Sequence, residues 1–284
     1  MYRYAYSLSG EEAITSDWQA ANRSARLKRV ELSCSRNAPF IAIPDMIKMA
    51  EQKEIEVASI HIPFSVDTEL GFGTPEERQD HVNFIAGFLR QCAPFKCRNF
   101  TMHSGPERSA QEFSDRPGAI KLFREGVEKL LPVLKELDRS LNIELLPRNC
   151  LGNTPDEVEQ MTEGFPEEYI GICLDTNHYN GHADQIPHLV KRFGSRLKTL
   201  HLSDCDGVCE AHWLPPQGIL NWTAIMQAVR EVPQDLLLVL ECYGALDLHN
   251  WANKRPLAAA RIRSMEKTAA ILESIDKINW DINF

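Results

Sequence analysis

The segment LKTLHLSDCDGVCEAHWLPPQG (197–218) sets His201, Asp204, Asp206, Glu210 and His212 in one short run where an alternating apolar stretch stops. Imidazole nitrogens and carboxylate oxygens bind divalent metals, and they carry protons near neutral pH. Similar side chains mark other apolar runs. His61 lies in EVASIHI (56–62), His103 in NFTMHS (99–104) and Glu144 in NIELL (142–146). Asp175 ends IGICLD (170–175), Glu241 ends LLLVLE (236–241), and Glu31 holds a similar place in KRVELSC (28–34). A single strand histidine is usually a satisfied core residue, and a single carboxylate at a strand end is usually solvated. Six such positions in register are harder to dismiss. Ionised carboxylates inside a closed barrel repel one another and lose solvation unless a cation or bound protons compensate. The pattern predicts a metal centre. Oxygen and imidazole donors without cysteine favour Mn²⁺, Mg²⁺ or Co²⁺, with Zn²⁺ as a further candidate.

Those residues need a scaffold that gathers strand ends. The six runs above, with YRYAYS (2–7) and LKTLHLS (197–203), make eight strands. Helical segments alternate with them: EAITSDWQAANR, IPDMIKMAEQK, PEERQDHVNFIAGFLRQ, GAIKLFREGVEKLLPVLKELDRS, TPDEVEQMTEG, QIPHLVKRFGS, NWTAIMQAVREV and RPLAAARIRSMEKTAAILESI. Ile120, Phe123, Val127, Leu130, Leu134 and Leu137 give the longest of these one apolar face, with Pro132 a predicted kink. Strict alternation implies parallel strands joined by crossovers, and eight units in 284 residues predict a (β/α)8 TIM barrel. A doubly wound open sheet would carry a glycine-rich turn after the first strand, and YSLSGEEA has a single glycine there. One domain is expected over 1–284, ending in a short tail at 276–284. That tail carries Trp280 and Phe284, apolar side chains able to dock on the barrel or on a second copy in a homo-oligomer.

A formal charge of −9 opposes nucleic acid as a partner. The basic group Lys254, Arg255, Arg261, Arg263 and Lys267 reads as a solvated helix face. No basic and apolar leader and no run of about 20 apolar residues is present, so the chain reads as soluble and cytoplasmic, away from membranes. The eight cysteines then read as reduced thiols.

The stretches SIHIPF, TMHSG, IELLPRN, ICLDTNHYNGH, LKTLHLSDCDG, EAHWLPPQGILNW and VLECYG run from the third strand to the eighth. Together they resemble the xylose isomerase-like TIM barrel superfamily, which holds D-tagatose 3-epimerase-like sugar phosphate isomerases and epimerases, inosose dehydratase-type lyases and endonuclease IV. The most specific part is LDTNH followed by HLSD and a Pro/Gly turn with NW. The resemblance implies a metal-dependent isomerase or epimerase of carbohydrate metabolism. Its substrate would be a keto sugar or related polyol, deprotonated beside a metal-bound carbonyl to give an enediolate. Carried over by position, Glu144, Asp175, His201 and Glu241 are the expected ligands of one divalent metal, and Glu144 and Glu241 the expected proton-transfer residues. His178 resembles a substrate-contacting histidine, and His61, His103, Arg148, Glu210, His212 and Trp213 complete the expected substrate surround. Tagatose epimerase-like enzymes carry an acidic residue six positions after the first glutamate, where this chain has Cys150.

The resemblance carries two rivals. An enediolate that expels a neighbouring leaving group would make the protein a dehydratase-type lyase. An endonuclease IV-like phosphodiesterase would hold three zinc ions. His61, His103, Glu144, Asp175, His178, His201, His212 and Glu241 nearly supply that set, with Glu210 where that family has an aspartate. The negative charge and the lack of loops interleaving Arg/Lys with aromatics argue against a DNA enzyme.

Overall fold

The computed structural model describes residues 2–9, 24, 26–33, 43–52, 54–64, 68–232, 235–242, 258–275 and 277. The strands are β1 (Arg3–Ser9), β2 (Arg29–Ser33), β3 (Glu56–His61), β4 (Asn99–Met102), β5 (Ser140–Leu145), β6 (Ile170–Asp175), β7 (Leu197–Leu202) and β8 (Leu237–Leu240). Each strand pairs in parallel with its neighbour in sequence, and β8 pairs with β1 to close the barrel. The helices that follow are α1 (Ile43–Gln52), α2 (Pro75–Gln91), α3 (Arg116–Leu137), α4 (Pro155–Thr162), α5 (Ile186–Phe193), α6 (Trp222–Glu231) and α7 (Ala258–Ile275). The helix expected at EAITSDWQAANR and the tail at 276–284, apart from Lys277, lie outside the described residues.

Local signals set the helix starts. Thr74 closes a capping box with Glu77 at the start of α2, Asp115 accepts from Gly118 N at α3, and Thr154 accepts from Glu157 N at α4. Helix α3 runs through Pro132 and buries Ile120, Phe123, Val127, Leu130 and Leu134, with Leu137 packed at its margin. Arg263 and Lys267 are exposed on α7, as a solvated face requires, while Lys254 and Arg255 lie outside the described residues. The described cysteines are all free thiols. None of the described helices is long and apolar enough to cross a membrane.

The period-two alternation of a strand divides the barrel into two faces. Ile143, Leu145, Ile172, Leu174, Leu200, Leu202 and Leu238 belong to the main apolar core shared with the helices. Their alternates point inward, since bonds between them span non-neighbouring strands: Thr101 Oγ1 donates to Glu31 Oε2 at 3.2 Å, and Asn142 Nδ2 to Thr199 Oγ1 at 3.2 Å. Register then sets the height of each inward residue. Glu144 stands beside Cys173, Asp175 beside His201, and His201 beside Val239. The acidic and imidazole side chains therefore collect at the carboxyl ends of the strands, while Ala5, Ala58, Leu237 and Val239 form a separate small apolar cluster.

Candidate active site

Glu144, Asp175 and His201 are fully buried at this end of the barrel, and Glu241 follows β8 with its side chain 12% exposed. One donor atom from each of the four lies within 4.8 Å of the others. His201 Nδ1 is 2.9 Å from Glu241 Oε2, 3.4 Å from Glu144 Oε1 and 3.8 Å from Asp175 Oδ2. Asp175 Oδ1 accepts from Asn177 N at 2.6 Å, which holds the carboxylate in place. Asp175 Oδ2 and His201 Nδ1 are buried without a hydrogen-bonding partner. Such orphaned polar atoms are costly in a protein interior. Their convergence with two further carboxylates fits a divalent cation, and all four residues are the ligands expected from sequence.

The remaining histidines surround the same carboxylates. His61 Nε2–H donates to Glu144 Oε2 at 3.2 Å, and His61 Nδ1 faces the Ile62 carbonyl at 2.9 Å. His103 Nε2 lies 3.1 Å from Glu144 Oε2. His178 Nδ1 is 3.2 Å from Glu144 Oε1 and 3.1 Å from the Leu145 carbonyl, and its Nε2 is 3.9 Å from Asp175 Oδ2. His212 adopts a positive φ of 45° and turns Nδ1 to the Glu241 carbonyl at 3.0 Å. Three further metal-capable groups result, His61/His103/Glu144, Asp175/His178/His212 and Glu144/Cys173/His201, each sharing a carboxylate with the first.

The rim behaves differently. Arg148 is half exposed and pairs with Glu107 at 2.9 Å and with Glu210. Trp213 is partly exposed, and its backbone forms a two-way bridge with Asp204 at 2.8 and 2.9 Å. Asp204 is buried, accepting from Trp222 Nε1 at 2.7 Å and from the backbone of Cys205 and Leu220, so it ties the loop together. Asp206 accepts from Val208 N and Cys209 N in an exposed turn. Two residues near the site carry roles that sequence reasoning missed. Asn177 donates from Nδ2 to Ser203 Oγ and the Asp204 carbonyl, while its Oδ1 accepts from Ala211 N. Phe64 stacks on His103 with ring centroids 4.8 Å apart and leaves half its surface exposed. The LDTNH run contains Asn177, but its partners become visible only once β6 and β7 are side by side.

Charge follows from these contacts. Burial opposes ionisation of Glu144, yet His103 and His201 beside it hold its carboxyl well below the usual range. Burial likewise opposes a proton on His178, and Asp175 and Glu144 override it, pushing the imidazole up to about 10. His201 is also raised against the effect of burial, by Cys173, Glu31, Glu241 and Glu144. A raised histidine stabilises the fold fully below its unfolded value of about 6.5, and that contribution is lost as pH rises through the folded value. His201 therefore holds its proton more tightly than a free imidazole does. Binding through Nδ1 must expel that proton. Calorimetric metal uptake at pH 7, in two buffers of different ionisation enthalpy, is expected to show at least about one proton released per ion and tighter binding as pH rises. Buffer-independent heats would contradict this.

A model of the family described as xylose isomerase-like TIM barrel matches residues 28–275. Over 129 residues the chain is 29% identical to D-psicose 3-epimerase of Enterocloster bolteae, covering 45% of this chain and 40% of that protein. Over 167 residues it is 23% identical to a probable endonuclease 4 of Persephonella marina, covering 54% of this chain and 57% of that protein. The chain thus spans about half the length of these curated relatives. The crystal structure of D-psicose 3-epimerase with D-tagatose from Clostridium cellulolyticum H10 superposes with a TM-score of 0.77 at 16% identity, covering 96% of this chain and 99% of that one. That likeness shows a shared fold.

Proposed function

The chain belongs to the xylose isomerase-like TIM barrel family, and from that premise we propose that it is a divalent-metal-dependent isomerase or epimerase of a keto sugar or related polyol. The observation that carries this reading is the placement of two carboxylates, Glu144 on β5 and Glu241 after β8, on either side of the adjacent strands that bear Asp175 and His201. Glu144, Asp175, His201 and Glu241 would hold the ion, which when bound supplies Lewis-acid stabilisation of negative charge developing on substrate oxygens.

The chain's own residues do the rest. A proton beside a sugar carbonyl is too weakly acidic to leave unaided at neutral pH, so an ionised carboxylate must be held against it. Burial opposes ionisation of both glutamates, and the neighbouring histidines override it, holding both carboxyls below the usual range and favouring the form that accepts a proton. Two bases on opposite faces would invert one carbon, whereas one base relaying a proton between neighbouring carbons would move the carbonyl. His61 and His103 orient Glu144 through Oε2. Phe64 supports His103 and offers an apolar face at the mouth. Glu210 and Arg148 form a charged rim that would meet hydroxyl groups.

The test is solvent exchange. Incubation with a panel of keto sugars in D₂O is expected to place deuterium on the carbon beside the carbonyl and to yield an epimer or aldose. Absence of exchange across keto hexoses, keto pentoses and inososes would overturn the reading. One observation favours a second reading: the further donor groups His61/His103/Glu144 and Asp175/His178/His212 could hold additional ions. A trinuclear phosphodiesterase would use them, and the formal charge of −9 weighs against a nucleic-acid substrate.

A further inference from the structure

Glu31 on β2 carries no role in the proton-transfer scheme, yet it is fully buried inside the barrel. Its Oε2 accepts from buried Thr101 Oγ1 at 3.2 Å, and its Oε1 lies 3.0 Å from His201 Nε2. Both of those facing atoms are buried and lack any formed hydrogen bond, because the pair is close but not aligned. The 3.0 Å separation is within hydrogen-bonding reach, and χ2 of an imidazole is a broad torsion. No Lys or Arg pairs with Glu31 among the described residues, so His201 is its charged neighbour. Keeping an isolated carboxylate out of water costs several kcal/mol. His201 presents its other edge to Glu144, Asp175 and Glu241. The two ring nitrogens point in divergent directions, so Glu31 stands across the ring from that donor set.

We propose that Glu31, steadied by Thr101, is a positioning residue that accepts the Nε2–H of His201 and so presents the Nδ1 lone pair to the ion. This rests on the metal centre of the preceding section. A histidine ligand needs one nitrogen protonated and the other bare, and a carboxylate on the far nitrogen selects that tautomer and fixes the ring plane.

The test uses full-length protein stripped with chelator, titrated with Co²⁺ by competition calorimetry, and loaded with Zn²⁺ after ¹⁵N-histidine labelling for NMR. Wild type loaded with zinc is expected to show His201 protonated at Nε2 and bare at Nδ1. Glu31→Leu is expected to bind Co²⁺ about 10- to 100-fold more weakly. Glu31→Gln, whose amide oxygen still accepts from Nε2–H, is expected to restore affinity to within roughly threefold of wild type. A folded Glu31→Leu protein with unchanged Co²⁺ affinity overturns the proposal, as does a Gln variant as weak as Leu or a zinc-loaded His201 protonated at Nδ1. If Glu31→Leu does not fold, the tautomer in wild type and the Gln variant decide. Wild type that takes up neither ion refutes the metal centre itself, an outcome distinct from failure of Glu31 alone.

Discussion

Glu144→Gln and Glu241→Gln should each lower turnover by at least about 10³-fold in a protein that stays folded, within the range that positioned acid–base groups supply. Glutamine matches glutamate in size and keeps an oxygen facing inward, so packing is preserved while the proton acceptor is lost. The two variants should differ elsewhere. Glu144 meets His61, His103, His178 and His201, so its neutralisation removes the anion that several imidazoles share. Glu241 lies 2.9 Å from His201 through its carboxylate, with His212 acting on it electrostatically. The thermal midpoint of the metal-free Glu144→Gln protein should therefore fall further than that of Glu241→Gln. Rates are read from deuterium exchange and folding from circular dichroism. Near-normal rates in both variants would remove the acid–base assignment.

Stripping the metal should abolish activity, and Mn²⁺ or Co²⁺ should restore it. The stripped protein keeps Glu144, Asp175 and Glu241 near one another with histidine protons as compensation. Two like charges about 4 Å apart repel by roughly 4 kcal/mol at an effective dielectric near 20, so the centre is held together at a cost that an ion relieves. An ion present at 100 times its dissociation constant adds about 2.7 kcal/mol of stability, seen as a higher thermal midpoint. Elemental mass spectrometry on protein purified without chelators gives the stoichiometry. About one ion per chain is expected. Close to three zinc ions per chain would transfer the assignment to the phosphodiesterase reading, because His61/His103 and His178/His212 would then be ligands.

The barrel was legible because its strands are short apolar runs with polar residues at fixed parity. His201, Asp175 and Glu144 sit at inward positions of strands whose ends the sequence marks, and their convergence follows from closure of the sheet. The role of Glu31 was not legible in the same way. Its position at a strand end was plain, but its partners Thr101 and His201 lie on β4 and β7, and only the strand order and stagger bring them together. Arg148 is among the residues expected to surround the substrate. The structure places it against Glu107 and Glu210, a pairing between separate loops that no local pattern encodes. Asp204 and Asp206 belong to the same short run of the sequence, yet Asp204 is buried and bonded to Trp222 while Asp206 stays in an exposed turn. Two aspartates two positions apart differ because the loop folds back on the first alone.

That fold-back separates two evolutionary problems. Asp204 meets Trp213 through its backbone and Leu220 and Trp222 through its carboxylate, so both branches of the loop are fastened at the point where β7 ends. Doubling the length of a flexible loop between fastened ends costs only about 0.6 kcal/mol. Residues 206–210 can therefore lengthen, shorten or change chemistry while His201 stays where the barrel holds it. A lineage could swap the group it recognises through this exchangeable cassette, leaving the proton-moving machinery in the barrel wall unchanged.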